Sequence, residues 1–261
     1  MSSGKIVSIH SFRGGTGKSN TTANLAAQAA LAGKRVAMVD TDIQSPGIHV
    51  LFGLDELKMG NTLNDFLHGK CTIREVAFNI GENAAGEEGR AKLAGKSLWL
   101  LPSSIRGREI SQILREGYDV NKLNEGFQTV LKDLELDYLF IDTHPGLNEE
   151  TLLSIAISDI LIIILRPDNQ DFQGTAVTVD IARSLDVPNL ILMVNKAVPK
   201  YDFADIKRQV EGTFNAPVAG VLPLTFDMAD NASKDLFSLR YPDHEWSKAL
   251  RGVAQAILAV K

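Results

Sequence analysis

A chain of 261 residues, 44% hydrophobic and 23% charged, has enough apolar material for a large globular core and excludes a disordered or fibrous protein. The net charge of −5 gives no whole-molecule attraction to DNA or anionic lipid, and the single cysteine, Cys71, excludes a disulfide framework or a cysteine-built metal cluster within one chain. No apolar run approaches the roughly 18 residues of a membrane span, and the polar stretch Met1–Lys5 is not followed by the apolar segment of a secretory signal, so one cytoplasmic domain over residues 1–261 is expected.

Ile6 to Ser11 is apolar and β-branched, as a central strand requires, and runs into the glycine-rich stretch Phe12 to Asn20, F-R-G-G-T-G-K-S-N. Ser19 to Leu31 carries helix formers and stops before Gly33, giving strand, glycine-rich loop, helix. Arg35 to Asp40 is a second buried strand that ends on an acidic segment, Asp40 to Gly47. Leu57 to Ala77 reads as helices with a turn at His68-Gly69-Lys70, and Gly81 to Lys96 as a surface loop rich in Gly, Ala and Glu. Leu98 to Leu101 is a short strand closed by Pro102; Ile105 to Lys132 is helical with a break at Gly117-Tyr118-Asp119; Leu136 to Asp142 is another strand ending in an acid.

The alternation then continues with helix Glu149–Ser158, strand Ile160–Leu165, helix Gly174–Leu185, strand Leu190–Asn195, helix Phe203–Phe214 and strand Val218–Leu222. Apolar strands separated by helices of this length predict an α/β fold, a mostly parallel, doubly wound sheet covered by helices on both faces. The last helix, from about Asp243, places Trp246, Leu250, Val253 and Ile257 at helical spacing and is expected to dock on the sheet.

The loop after the first strand carries the chemistry. In a phosphate loop, G-x-x-x-x-G-K-[ST], backbone N–H groups wrap the phosphates, the Lys reaches the β and γ groups, and the hydroxyl ligates Mg²⁺. Gly17, Lys18 and Ser19 supply the second half of that pattern. Phe12 stands where the first Gly would be, and Arg13 precedes the pair Gly14-Gly15, followed by Thr16. Open parallel sheets place ligands at the carboxyl ends of their strands, where Asp40, Asp42 and Asp142 are predicted to fall.

The pattern [basic]-G-G-x-G-K-[ST] resembles the deviant phosphate loop of the ParA/MinD family of ATPases. The resemblance implies a P-loop fold that binds ATP and Mg²⁺ and forms an ATP-sandwich homodimer. It further implies positioning of a cargo on a surface, with slow hydrolysis stimulated by a partner. Residue by residue, Lys18 offsets charge on the β and γ phosphates, Ser19 ligates Mg²⁺, Asp40 supports the metal's water shell, and Asp42 orients the attacking water. Asp142, in F-I-D-T-H-P-G, matches the Walker B acid, with Gly146 marking the γ-phosphate switch. Arg13 replaces the family's signature Lys, which reaches the nucleotide of the other subunit, and Asn20 replaces a Thr near the α-phosphate.

Asn195 opens N-K-A-V, where the guanine-reading N-K-x-D would need an acid; Val198 stands there instead, which favours adenine. The resemblance places Asn195 and the segment Pro223 to Asp227 around the base. His10 is expected to pack on the first strand and His144 to fill a variable switch position with a satisfied hydrogen bond. Iron–sulfur relatives need more cysteines than Cys71. Nonspecific DNA is a candidate surface through Arg106, Arg108 and Arg115, or through Lys234, Arg240, Lys248 and Arg251; a membrane surface is disfavoured because the last helix lacks a basic face. The competing reading is an ATP-dependent metabolic ligase or synthetase with a related loop.

Overall fold

Strands that are apolar on both faces are stable only inside a sheet covered from both sides. The computed structural model describes residues 4–84 and 87–260; the first residues of the polar N-terminal stretch, residues 85–86 of the segment expected as a loop, and Lys261 lie outside the described residues. The strands are β1 (Lys5–His10), β2 (Val36–Asp40), β3 (Phe78–Asn79), β4 (Leu98–Leu101), β5 (Tyr138–Asp142), β6 (Ile160–Leu165), β7 (Asn189–Ala197) and β8 (Val218–Pro223). They form an eight-stranded sheet in the order β3-β4-β2-β5-β1-β6-β7-β8. Neighbours are parallel except β3 with β4, so the architecture is the mostly parallel, helix-flanked α/β sheet that the alternation predicts.

Successive residues of each strand feed opposite cores. Val7, Ile9, Met38, Phe140 and Ile162 pack with the helices Lys18–Leu31 and Glu245–Ala259. Ile6, Val39 and Ile141 pack with Val120–Asp133 on the other face, and Leu161 and Ile163 with Asn169–Ser184 and Phe203–Phe214. The C-terminal helix docks as its spacing predicts: Trp246, Leu250, Val253 and Ile257 are at most 2% exposed. Burial of side chains of this size contributes about 1.5–3 kcal/mol each, which commits that apolar face to the core.

The segment expected as a surface loop over 81–96 is more ordered than its composition implies. It follows the antiparallel edge strand β3 and holds the short helices Ile80–Asn83 and Glu88–Ala91. The Asn79 side chain caps the first by accepting from the N–H of Glu82. The buried carboxylate of Asp235 accepts from the N–H groups of Gly89 and Arg90, and Leu93 is fully buried. Such a distant partner leaves no periodic signal. Likewise, the helix predicted from Gly174 starts at Asn169, because Asp168 caps it through the N–H groups of Gln170 and Asp171. The helices Phe226–Asn231 and Phe237–Arg240 fall where no element was predicted.

Register matters more than boundaries. Asp40 of β2 pairs with Asp142 of β5, and Asp142 pairs with Ile9 of β1. Both acids therefore leave the sheet side by side, at the edge from which the glycine-rich loop departs.

Candidate functional site

Gly15 and Gly17 adopt φ of +76° and +93°, left-handed values that glycine tolerates and that turn the chain from β1 into the helix Lys18–Leu31. Gly17 is constrained by space as well: a Cβ there would lie 2.6 Å from Asn195 Nδ2. No side chain caps this helix, so its first N–H groups face the cleft, and they and the helix dipole favour an anion there.

A cleft of about 560 Å³ lies over that terminus, lined by Gly14, Gly15, Lys18, Ser19, Asp42 and His144 among others. Lys18 is 7% exposed. Burial lowers the pKa of its ammonium, while the charges of Asp142, Asp42 and Asp40 act in the opposite sense. The fully buried carboxylate of Asp142 is raised to about 6, burial being the main cause, with Lys18 pulling it down. Its Oδ1 accepts from Thr22 Oγ1 at 3.3 Å, and its Oδ2 is buried without a partner.

Asp40 behaves differently. Its Oδ2 accepts from the N–H groups of Gly47 at 2.9 Å and Ile48 at 3.1 Å, and its Oδ1 from that of Asp42 at 3.2 Å. It thus ties down the acidic segment that follows β2. Burial and the neighbouring Asp142 charge raise its pKa despite those bonds. Asp42 points into the cleft with Oδ1 accepting from the Ser45 N–H at 3.2 Å. Burial raises Asp42 also, with His144 and Lys18 opposing.

His144 has the hydrogen bond expected of it, from Nδ1 to the Pro145 carbonyl at 2.6 Å, and its Nε2 lies 3.9 Å from Asp42 Oδ1. It lines the cleft, which the sequence did not reveal. Gly146, at φ +86°, closes the segment by donating its N–H to the Ser11 carbonyl at 3.3 Å. His10 is buried on β1 as expected. Thr143 Oγ1 donates to the Ile9 carbonyl, so it accepts from His10 Nδ1 at 2.8 Å. Burial drives the His10 pKa down to about 3 and keeps the ring neutral.

A second, largely apolar cleft of about 290 Å³ adjoins the first through Gly17 and Asn20. Asn195, Lys196, Pro223, Leu224, Met228 and Trp246 contribute to its walls. Asn195 Nδ2 donates to the Thr16 carbonyl at 2.8 Å and its Oδ1 accepts from the Lys196 N–H. Lys196, at φ +57°, donates from Nζ to the Gly15 carbonyl at 2.7 Å. The end of β7 therefore clamps the phosphate loop as well as lining the second cleft. Lys196 was missed although it is the K of N-K-A-V. Asn20 lies at the junction, its Oδ1 buried and unpartnered.

Arg13 stands apart. Its guanidinium donates to the Gln170 side chain, and it lies with Phe12, Gln173 and Val177 on the surface outside the phosphate cleft. Gly14, Gly15, Gly17, Lys18, Ser19, Asn20, Asp42, Asn195 and Pro223 thus line two joined clefts, with Thr16, Asp40 and Asp142 buried behind them. Arg13 is not brought into either.

The family model described as an AAA domain matches residues 4–187. An uncharacterised ATP-binding protein of Methanocaldococcus jannaschii is 27% identical over 256 residues, covering 98% of this chain and 88% of that protein. A putative septum site-determining protein MinD of Chlorella vulgaris is 26% identical over 224 residues, covering 84% and 72%. The septum site-determining protein MinD of Pyrococcus horikoshii, solved with Mg-ADP, superposes with a TM-score of 0.76 at 18% identity, covering 97% and 95%.

Proposed function

The chain belongs to the ParA/MinD family of P-loop ATPases, and from that premise we propose that it is a Mg-ATP-hydrolysing switch whose ATP-bound homodimer holds a cargo on a surface. The strongest support is one juxtaposition: an uncapped helix terminus with buried Lys18 opens into a polar cleft, and that cleft continues into an apolar one of a size suited to a base. A triphosphate and a purine need those two environments.

The donor set also fits a divalent ion. Asp142 Oδ2 is a buried, unpartnered carboxylate oxygen, an uncompensated group of the kind a hydrated cation satisfies. Ser19 and Asp142 would hold Mg²⁺, with Asp40 fixing the loop behind them. When bound, the ion would supply positive charge against the charge that develops on the phosphate groups. Lys18 adds positive charge on the same groups, the loop N–H groups orient them, and Asp42 positions the attacking water. Asn195 retains a second amide hydrogen for adenine, and Pro223 lines the same cleft.

Arg13 is the residue we assign to the other subunit's nucleotide, since it faces outward rather than into its own cleft. Arg13→Ala is then expected to lower ATP turnover and dimer formation at least tenfold while shifting ATP affinity less than about threefold, equivalent to roughly 1.4 kcal/mol or more against less than about 0.7 kcal/mol. Isothermal titration beside phosphate release measures both; equal turnover and equal dimer in the variant would remove Arg13 from the mechanism.

A stimulating adaptor or cargo protein completes the cycle, in the cytoplasm. Nonspecific DNA is a candidate surface, although several of its cations are engaged: Arg106 pairs with Glu56 and Glu109, Arg240 with Glu87, and Arg251 donates to the Pro242 carbonyl. A membrane is disfavoured because the C-terminal helix spends its apolar face on the core. Purified protein should release phosphate from ATP with Mg²⁺ and not with EDTA; a protein that neither binds nor hydrolyses ATP would contradict the proposal.

A further inference from the structure

The wall of the apolar cleft comes from two segments distant in sequence. Thr225, Met228 and Ala229 come from the start of the helix Phe226–Asn231, and Trp246 comes from the first turn of the helix Glu245–Ala259. One side chain joins them. His244 caps the second helix, its Nδ1 accepting from the Trp246 N–H at 3.0 Å. That bond leaves the ring proton on Nε2, which donates to Asp227 Oδ2 at 3.1 Å, with Thr225 Oγ1 at 3.5 Å. Asp227 and Thr225 are the residues that start the first helix: Thr225 Oγ1 accepts from the Asp227 N–H at 3.2 Å. The imidazole is held in turn by the edge of Phe237, with ring centroids 5.0 Å apart at 83°.

We propose that His244 is a positioning residue for nucleotide selection: through Asp227 and the Trp246 N–H it fixes the spacing between Trp246 and the Thr225–Ala229 wall, and so sets how tightly a purine base is gripped. The inference rests on the reading of the apolar cleft as the base site. Among the described residues the hydrogen-bond and ring partners of the His244 side chain are Thr225, Asp227, Trp246 and Phe237, none of which lines the phosphate cleft, so its effect is expected on affinity for the base. Fixing a wall before the ligand arrives lowers the ordering cost of binding.

Two substitutions break the same bridge from opposite ends. His244→Asn keeps a helix cap, since Asn is a good N-cap residue, but is too short to reach Asp227. Asp227→Ala leaves His244 and its cap in place. Each is expected to weaken ATP binding by about three- to tenfold, the size of one partly exposed charge-assisted bond. The double variant should be no worse than either single one, because both remove one interaction. Asp227→Asn, which still accepts from Nε2, should restore near wild-type affinity. Inorganic tripolyphosphate, which has no base, should bind all of them alike.

Isothermal titration with ATP and with tripolyphosphate tests this on the full chain. Wild-type binding of ATP with unchanged affinity in His244→Asn and Asp227→Ala would overturn the positioning role alone. Equal losses for ATP and tripolyphosphate would overturn it too, as a general loosening of the fold. Failure of the wild type to bind ATP any better than tripolyphosphate would overturn the base-site reading on which it stands.

Discussion

Lys18→Ala is expected to lower kcat/KM for ATP hydrolysis by about 10²–10³-fold, about 2.7–4 kcal/mol of transition-state stabilisation, comparable to removing one preorganised donor from other enzyme sites. Lys18 lines the phosphate cleft with Asp42 and also feels the charges of the buried Asp40 and Asp142. Burial lowers the pKa of its ammonium and those carboxylates act in the opposite sense, so the group is desolvated beside acids. That combination makes it effective against a polyphosphate and costly to lose, because the remaining acids then repel the ligand. Lys18→Arg should not rescue, since a planar guanidinium does not fit a site shaped for a compact ammonium. Steady-state phosphate release checks this, with melting temperatures to show that the variant is folded; retention of more than about a tenth of wild-type kcat/KM, a loss below roughly 1.4 kcal/mol, would remove Lys18 from its role.

Asp142→Asn is expected to move stability and activity in opposite directions. Burial raises the Asp142 carboxyl from 3.8 to about 6 in the folded chain. A carboxyl whose folded pKa is raised binds its proton more tightly when folded, so stability falls as pH rises through that window and stays lower above it. Asparagine has nothing to ionise, and its absence of charge also relieves Asp40, which Asp142 repels. Lys18 loses one partner but keeps Asp40 and Asp42. The variant should therefore be more stable than wild type without ligand at pH 7.5, by on the order of 1–3 kcal/mol, or a few degrees in Tm, and the two should converge toward pH 4. Mg-ATP should stabilise the wild type and not the variant, and ATP turnover should be lost. A variant less stable than wild type at pH 7.5 would mean that the buried acid is compensated by the protein itself.

Both predictions draw on residues that are readable from the sequence for a physical reason. Buried parallel strands are unbroken apolar runs, so β1, β2, β5 and β6 announce themselves, and the acids that end them fall at the sheet's carboxyl edge by topology. Gly17, Lys18 and Ser19 are fixed by the spacing that a phosphate demands. What escaped is what depends on distant partners. The helix Glu88–Ala91 is held by Asp235, which reaches back to Gly89 and Arg90. Asn195 was expected beside the base, but its clamp on the Thr16 carbonyl was not expected, nor was that of Lys196 on the Gly15 carbonyl. Arg13 carries the loop's deviation from the common pattern, yet only tertiary structure places it against Gln170, outside the cleft of its own chain.

The most direct measurement is the sedimentation of Asp42→Ala, which on the role proposed for Asp42 should block hydrolysis while the phosphate loop is intact. With Mg-ATP the account predicts a dimer that strengthens with protein concentration and dissociates when ATP is replaced by ADP. A monomer under every nucleotide condition, at concentrations well above that needed to saturate the ATP site, would contradict it.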